Sequence, residues 1–467
     1  MTYPPTVRTA PQSAPTHAPA QPPATPPATP PSHRGAWAEG KKRLRTAATT
    51  EPGRLQIIGA VLAALVVAFG AVTAFEISDR ASAADDVVSR SQPLSADAAS
   101  IYRSLADADT AASSGFLAGA EEPRAARERY QKDIALASRL LVKAAANTDS
   151  SSESGRQIAA LNEQLPRYTG VIETARSYNR QGLPLGGAYL RFANAQMTRD
   201  LLPAAQKLYD AETARLDRDD DNARFWPVFS LAVGVVALAA LVWAQRRNYQ
   251  RTNRVFNHGL LAATAAAAVV LLWLAVGHTV ARAELNDAEA HGQKSLKVLN
   301  DARISSLKAR ANENLTLVAR GAVLTDDGKS DKYETDYTTG MKKLGDRLSE
   351  AQKLADDKEG LGPVEAAVKG VSEWKVRHAS ASTTDKAGDY EGALDKVIGP
   401  KVSTGQSFDQ VDDALATALA HEQREFTRAA EDGRGALTGL PVGAAALAVL
   451  GAAGALLGIN RRLSEYR

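Results

Sequence analysis

Four stretches of this 467-residue chain contain no Asp, Glu, Lys or Arg: residues 55–75, 225–244, 259–281 and 435–459. Crossing a hydrocarbon core of roughly 30 Å takes about 20 apolar residues in a helix. Each stretch is long enough. In lipid every backbone N–H and C=O must find its partner within the segment, so the spans must be helices. Trp226 and Trp243 lie near span ends, where an amphipathic ring suits the interface, whereas Trp273 lies well inside its span.

The charges between the spans predict an orientation. Segment 1–54 has seven basic and two acidic residues, and the loop 246–258 has four arginines and no acid. The tail 460–467 adds three arginines and one Glu. By contrast, 76–224 and 283–434 each contain more acids than bases. Short loops rich in Lys and Arg stay cytoplasmic. Both termini and the middle loop are therefore expected inside, and both long regions outside a plasma membrane that the chain crosses four times. The basic anchors are Lys41, Lys42, Arg43 and Arg45 in the tail and Arg246, Arg247, Arg251 and Arg254 in the loop. Contact with anionic lipid is their expected role.

The order span–exterior–span occurs twice, with starts at 55 and 259. Tyr130-Gln131-Lys132-Asp133 resembles Tyr333-Glu334-Thr335-Asp336, and Gln206-Lys207-Leu208 resembles Gln406-Ser407-Phe408, at nearly the same offset. Tandem duplication explains both the order and the offset. Each exterior reads as helical. Ile158, Leu161, Leu165, Tyr168, Ile172, Ala175 and Tyr178 make one apolar stripe, and Tyr333, Tyr337, Met341, Leu344, Leu348, Ala351 and Ala355 make another. Three breaks rich in Gly, Pro and polar residues divide each exterior, for example Glu121-Glu122-Pro123, Thr148–Gly155 and Gly360-Leu361-Gly362-Pro363. Four helices result, and an even number returns the chain to the membrane. The predicted fold is an all-α membrane protein with four transmembrane helices and two tandem extracytoplasmic up-down four-helix bundles. Its parts are a disordered Pro-rich basic tail (1–54), spans at 55–75, 225–245, 259–282 and 435–459, bundles at 76–224 and 283–434, the loop 246–258 and the tail 460–467. Eleven prolines in residues 1–34 leave that segment unable to bury a core.

The chain has no cysteine, which excludes disulfides, thiolate metal ligands and thiol catalysis. Walker, GxSxG and HExxH motifs are absent. His421-Glu422 lacks the second His of a zinc protease, and the acidic runs lack the alternating ligands of a calcium loop. No catalytic, cofactor or metal site is expected, and a basic patch without aromatic interleaving gives no reason to expect nucleic acid. Apart from Arg282 at the very end of the third, the spans hold no Asp, Glu, Lys or Arg for an ion path. Gly439/Gly443 and Gly454/Gly458 are spaced for close helix contact, including contact with a second copy. An aromatic ring beside opposite charges can hold a small zwitterion such as an amino acid. Tyr102 and Arg103 near Asp109, and Trp374 near Arg377, are the candidates. The same rings would serve equally well as bundle core.

A four-helix bundle between two spans resembles the ligand-sensing halves of chemoreceptors and sensor histidine kinases. Their cytoplasmic output modules have no counterpart in the short segments here. Ser95-Ala96-Asp97, Ile101 to Asp109 and Leu202 to Tyr209 resemble actinobacterial membrane proteins of four-span design. One such group works beside a glutamine-type binding lipoprotein and a soluble Ser/Thr kinase of the kinase-G type. The resemblance implies a non-enzymatic relay that passes external amino-acid status to a cytoplasmic partner. A structural scaffold or accessory subunit of an envelope or transport complex is the alternative.

Overall fold

The computed structural model describes residues 49–252 and 257–463. The anchors Lys41, Lys42, Arg43, Arg45 and Arg254, and the Pro-rich tail, lie outside the described residues. All described elements are helical, apart from one isolated bridge between Leu324 and Asp331. In chain order they are α1 (Glu51–Asp86), α2 (Gln92–Leu117), α3 (Arg124–Asn147), α4 (Glu153–Arg180), α5 (Leu185–Gln196), α6 (Leu202–Arg224) and α7 (Val228–Thr252). The second half comprises α8 (His258–Asp287), α9 (Lys294–Ala319), α10 (Lys332–Leu354), α11 (Lys358–Lys386), α12 (Tyr390–Ile398), α13 (Thr404–Leu437) and α14 (Leu440–Leu463).

Four helices are long and apolar enough to cross a membrane, which supports a multi-pass membrane protein. Two of these run without interruption from a span into the polar region. A π-helical segment, Val87–Ser91, joins α1 to α2, and Ala288–Gln293 joins α8 to α9. The other two long helices are broken at the edge of the apolar zone. Phe225 to Pro227 separate α6 from α7, and Gly439, at φ 77°, separates α13 from α14. Glu76 bridges the first break, since its carboxylate accepts the backbone N–H of Ser230 at 2.8 Å. That satisfies one of the donors a helix start leaves open. Arg80 donates to the carbonyl of Phe225 at 2.9 Å from the same side.

The apolar helices pack as α1 on α7 and α14, and α8 on α7 and α14. Small residues set the approach. A Cβ on Gly259 would lie 2.3 Å from the Gly454 carbonyl oxygen and 2.6 Å from the Gly458 Cα, and one on Gly443 would meet the Trp273 ring at 2.3 Å. The Gly454/Gly458 face is thus packed against α8 of the same chain.

In the polar region α2 packs on α3 and α6, α4 packs on α5 and α6, α9 packs on α10 and α13, and α11 packs on α12 and α13. The stripes read from the sequence face inward. Ile158, Leu161, Leu165, Tyr168, Ile172 and Ala175 are buried, as are Tyr333, Tyr337, Met341, Leu344, Leu348 and Ala351. The expected break at Gly360 to Pro363 falls earlier, at Ala355 to Asp357. Asp357 caps α11 by accepting the Gly360 N–H at 2.6 Å, and Pro363 then sits inside the helix. The two halves share a single core. α2 packs directly on α9, and one cluster of buried residues joins Leu105, Tyr168 and Leu208 to Leu307, Leu344 and Trp374. A polar ladder runs along that seam. The Thr110 hydroxyl bonds the Leu307 carbonyl at 2.9 Å, the Asn314 amide donates to Ser113 and Ser114 at 3.1 and 2.8 Å, and Lys308 donates to the Tyr102 hydroxyl at 3.1 Å.

Candidate functional site

A cavity of about 370 Å³ lies between the halves, just beyond the two π-helical segments. Its walls come from four places in the sequence: Gln92 to Arg103 on α2, Tyr209 to Leu216 on α6, Gln293 to Arg303 on the third long helix, and Ala416 to Phe426 on α13. These belong to the four helices that lead to the spans. A second cavity of about 210 Å³ adjoins it and shares Ser100, Arg103 and Arg303, with Asp107, Lys132 and Asp133 on its far wall.

The two arginines differ in their pairing. Arg303 is bidentate to Asp412, with Nε 2.6 Å and Nη2 3.1 Å from the two carboxylate oxygens. The same carboxylate accepts from Arg129 at 3.0 Å, and Arg129 also holds Asp107 at 2.7 Å. Arg129 therefore links the first half to the second. Arg103 has only neutral partners among the described residues, donating to Asn300 and, at 2.8 Å, to Ser100. Burial, and then the charge of Arg303, lowers its guanidinium to about 10. On the far wall burial, and then the charge of Asp107, raises Asp133 to about 8. One Asp133 oxygen is buried without a hydrogen bond. The site thus offers, along both cavities, a guanidinium that hydrogen-bonds no carboxylate, and on the far wall a carboxyl whose neutral form burial favours. An entering anionic group would gain charge-assisted hydrogen bonds from Arg103 that neutral partners do not supply.

Of the five candidates from the sequence, Arg103 lines both cavities. Tyr102 points along the α2–α9 seam, bonding Gln206 at 3.4 Å and Lys308. Asp109 lies deeper, where it accepts from Tyr168 at 3.0 Å and Asn194 at 2.6 Å. Burial pushes it up to about 6 against those hydrogen bonds. Trp374 and Arg377 are elsewhere, in the second half. Trp374 is fully buried and donates to both oxygens of Glu313 at 3.1 Å. Arg377 donates to the Ser403 carbonyl at 3.0 Å. Arg246 and Arg247 lie on α7, with Arg247 5.3 Å from the Trp243 ring, and Arg251 follows on the same helix.

Glu313 is the hub of a largely buried network. It accepts from Arg310 at 2.6 Å and from His378 Nδ1 at 2.8 Å, while His378 Nε2 bonds Glu334 at 3.1 Å. Burial opposes a charge on His378, but the hydrogen bonds to Glu313 and Glu334 win and raise it to about 9. A third cluster brings Asp357, His421 and Glu425 within 4.8 Å of one another, a group that can hold a metal ion. The sequence reading missed Asn300, Arg303 and Tyr209 at the main cavity. One signal was available for Arg303. It follows Arg103 by 200 residues, the offset of the internal similarities.

Residues 83–221 match the family model of the actinobacterial sensor domain, which supports a sensor role. The matched segment runs from the end of α1 into α6 and includes Arg103 and Tyr209. Neither a curated protein nor a solved structure matches the chain.

Proposed function

We propose that the chain is a multi-pass membrane sensor without an enzymatic domain, whose cavity between the halves takes a small ligand bearing a carboxylate or similar anionic group. Each half is read as a four-helix bundle on the outer side of the membrane, with the Arg-rich loop and both termini inside. The charge bias of the short segments supports that sidedness. The observation that carries the reading is the composition of the cavity wall, drawn from all four membrane-leading helices. An occupant would touch each of them, close to the π-helical segments that join α1 to α2 and α8 to α9. π-Bulges are frequent at functional sites. A ligand that favours one packing of these helices over another shifts their populations, and that shift is the signal. A solute-binding lipoprotein outside and a Ser/Thr kinase inside are the partners such a relay would use.

The test is thermal melting of the full-length protein in nanodiscs against a panel of small carboxylates and amino acids. A ligand at 100 times its Kd stabilises by about 2.7 kcal/mol. At least one compound should raise the melting temperature by several degrees, and Arg103→Gln should abolish the shift. No shift across the panel, or an undiminished shift in Arg103→Gln, refutes the reading.

A further inference from the structure

We propose that Asp357, His421 and Glu425 bind one borderline divalent cation of the Zn²⁺ class and so tie the start of α11 to α13. The site is separate from the cavity between the halves and does not depend on the reading given to it. His421 Nε2 lies 3.2 Å from Asp357 Oδ2 and 3.4 Å from Glu425 Oε2. Zinc binds His and carboxylate donors at about 2.0–2.2 Å, which in a tetrahedron sets neighbouring donors about 3.3 Å apart. The observed separations are those of coordination edges.

The Nε2 atom supplies a second observation. It is buried and makes no hydrogen bond, although two carboxylate oxygens lie close to it. Elsewhere in the protein a histidine beside carboxylates does form hydrogen bonds, as His378 does with Glu313 and Glu334. No arginine or lysine among the described residues forms an ion pair with Asp357 or Glu425. The carboxylate side chains are 34% and 33% exposed, which leaves an open side for water to complete the coordination shell. An imidazole with two carboxylates selects Zn²⁺ and its transition-metal neighbours over Mg²⁺ and Ca²⁺, which take oxygen donors.

The ligands also have a structural logic. Asp357 already caps α11 through its other oxygen, so its Oδ2 is held in place. His421 and Glu425 are one helical turn apart on α13, on the same face. Through α13 the ion would brace a helix that leads to the fourth span.

The experiment is equilibrium dialysis of Zn²⁺ against the full-length protein in nanodiscs, with bound metal measured by mass spectrometry. The wild type should bind one equivalent. His421→Gln, Glu425→Gln and Asp357→Asn should each weaken it by at least about 10-fold, the loss that follows even from removing an outer-shell partner. Asp357→Asn keeps an N-cap for α11, and Glu425 is partly exposed, so these two decide the matter should His421→Gln fail to fold. Zinc uptake that is the same in wild type and variants overturns the proposal, as does no uptake above an empty nanodisc. Displacement by millimolar Mg²⁺ overturns the assigned class of ion.

Discussion

Asp412→Asn is the substitution that most directly probes how the halves are held together. The carboxylate accepts three charge-assisted hydrogen bonds, two from Arg303 at 2.6 and 3.1 Å and one from Arg129 at 3.0 Å. Its side chain is 9% exposed. The amide keeps the shape but loses the charge, and it turns an NH2 group toward a guanidinium. Breaking a fully buried ion pair costs about 3–5 kcal/mol. Here Arg303 and Arg129 are 21% and 31% exposed, and Arg129 keeps Asp107 at 2.7 Å. Solvent screening and the remaining partner roughly halve the cost, to about 2 kcal/mol. For a folded unit of this size each kcal/mol shifts the melting temperature by about 2–4 °C, so a drop of about 4–8 °C is expected. The assay is intrinsic tryptophan fluorescence on heating, with buried Trp374 among the reporters. Arg303→Gln should cost a similar amount, and the double variant less than the sum, with a coupling of at least about 1 kcal/mol. Strictly additive losses, or a drop below about 1 °C for Asp412→Asn, would refute the reasoning.

Other outcomes follow from the same physics. His378 is raised from 6.5 to about 9 in the folded chain, so its contribution is complete below pH 6.5 and is lost as pH rises through 9. The shift corresponds to about 3 kcal/mol at most. Melting temperature should therefore fall between pH 6.5 and 9.5, and His378→Gln should flatten that slope; a slope unchanged in the variant contradicts the assignment. Gly259→Leu should break the contact between α8 and α14, where backbone atoms leave no room for a Cβ, and size-exclusion profiles should show loss of monodisperse protein. Gly170→Ala, in α4 with nothing within 4 Å of the added Cβ, should instead be neutral or stabilise by up to about 1 kcal/mol in a melting assay.

The legible parts of the molecule were those with one wet face. α4 and α10 each bury a single apolar stripe against solvent on the other side, so period alone identified Ile158 to Ala175 and Tyr333 to Ala351. The spans were equally plain, because lipid forbids charge. α2 and α9 were not legible in this way. They are enclosed by neighbours from both halves, and their buried residues include Asp109, Asn300, Arg310, Glu313 and Asn314. Polar atoms satisfied by a partner far along the chain, as Asn300 is by Arg103 and Asn314 by Ser113, look, in sequence, like a solvated face. That is why two separate bundle cores were expected where the structure has one. It is also why Asn300 and Arg303 were missed beside Arg103. The cluster at His421 was hidden in a similar way, since Asp357 reaches it from another helix. Trp374, read as a ring for a ligand or for the core, turned out to donate to a buried carboxylate, which no spacing rule announces.

The central claim is that occupancy between the halves changes how the membrane-leading helices meet. Asp85 at the end of α1 and Arg434 near the end of α13 pair at 3.1 Å close to the apolar zone. The chain has no cysteine of its own, so Asp85→Cys with Arg434→Cys gives a clean pair. The measurement is the rate at which that pair is cross-linked in nanodiscs, with and without the carboxylate that most stabilises the wild type. The account predicts a change of several-fold that disappears when Arg103→Gln is added. Equal rates with and without the compound would contradict it.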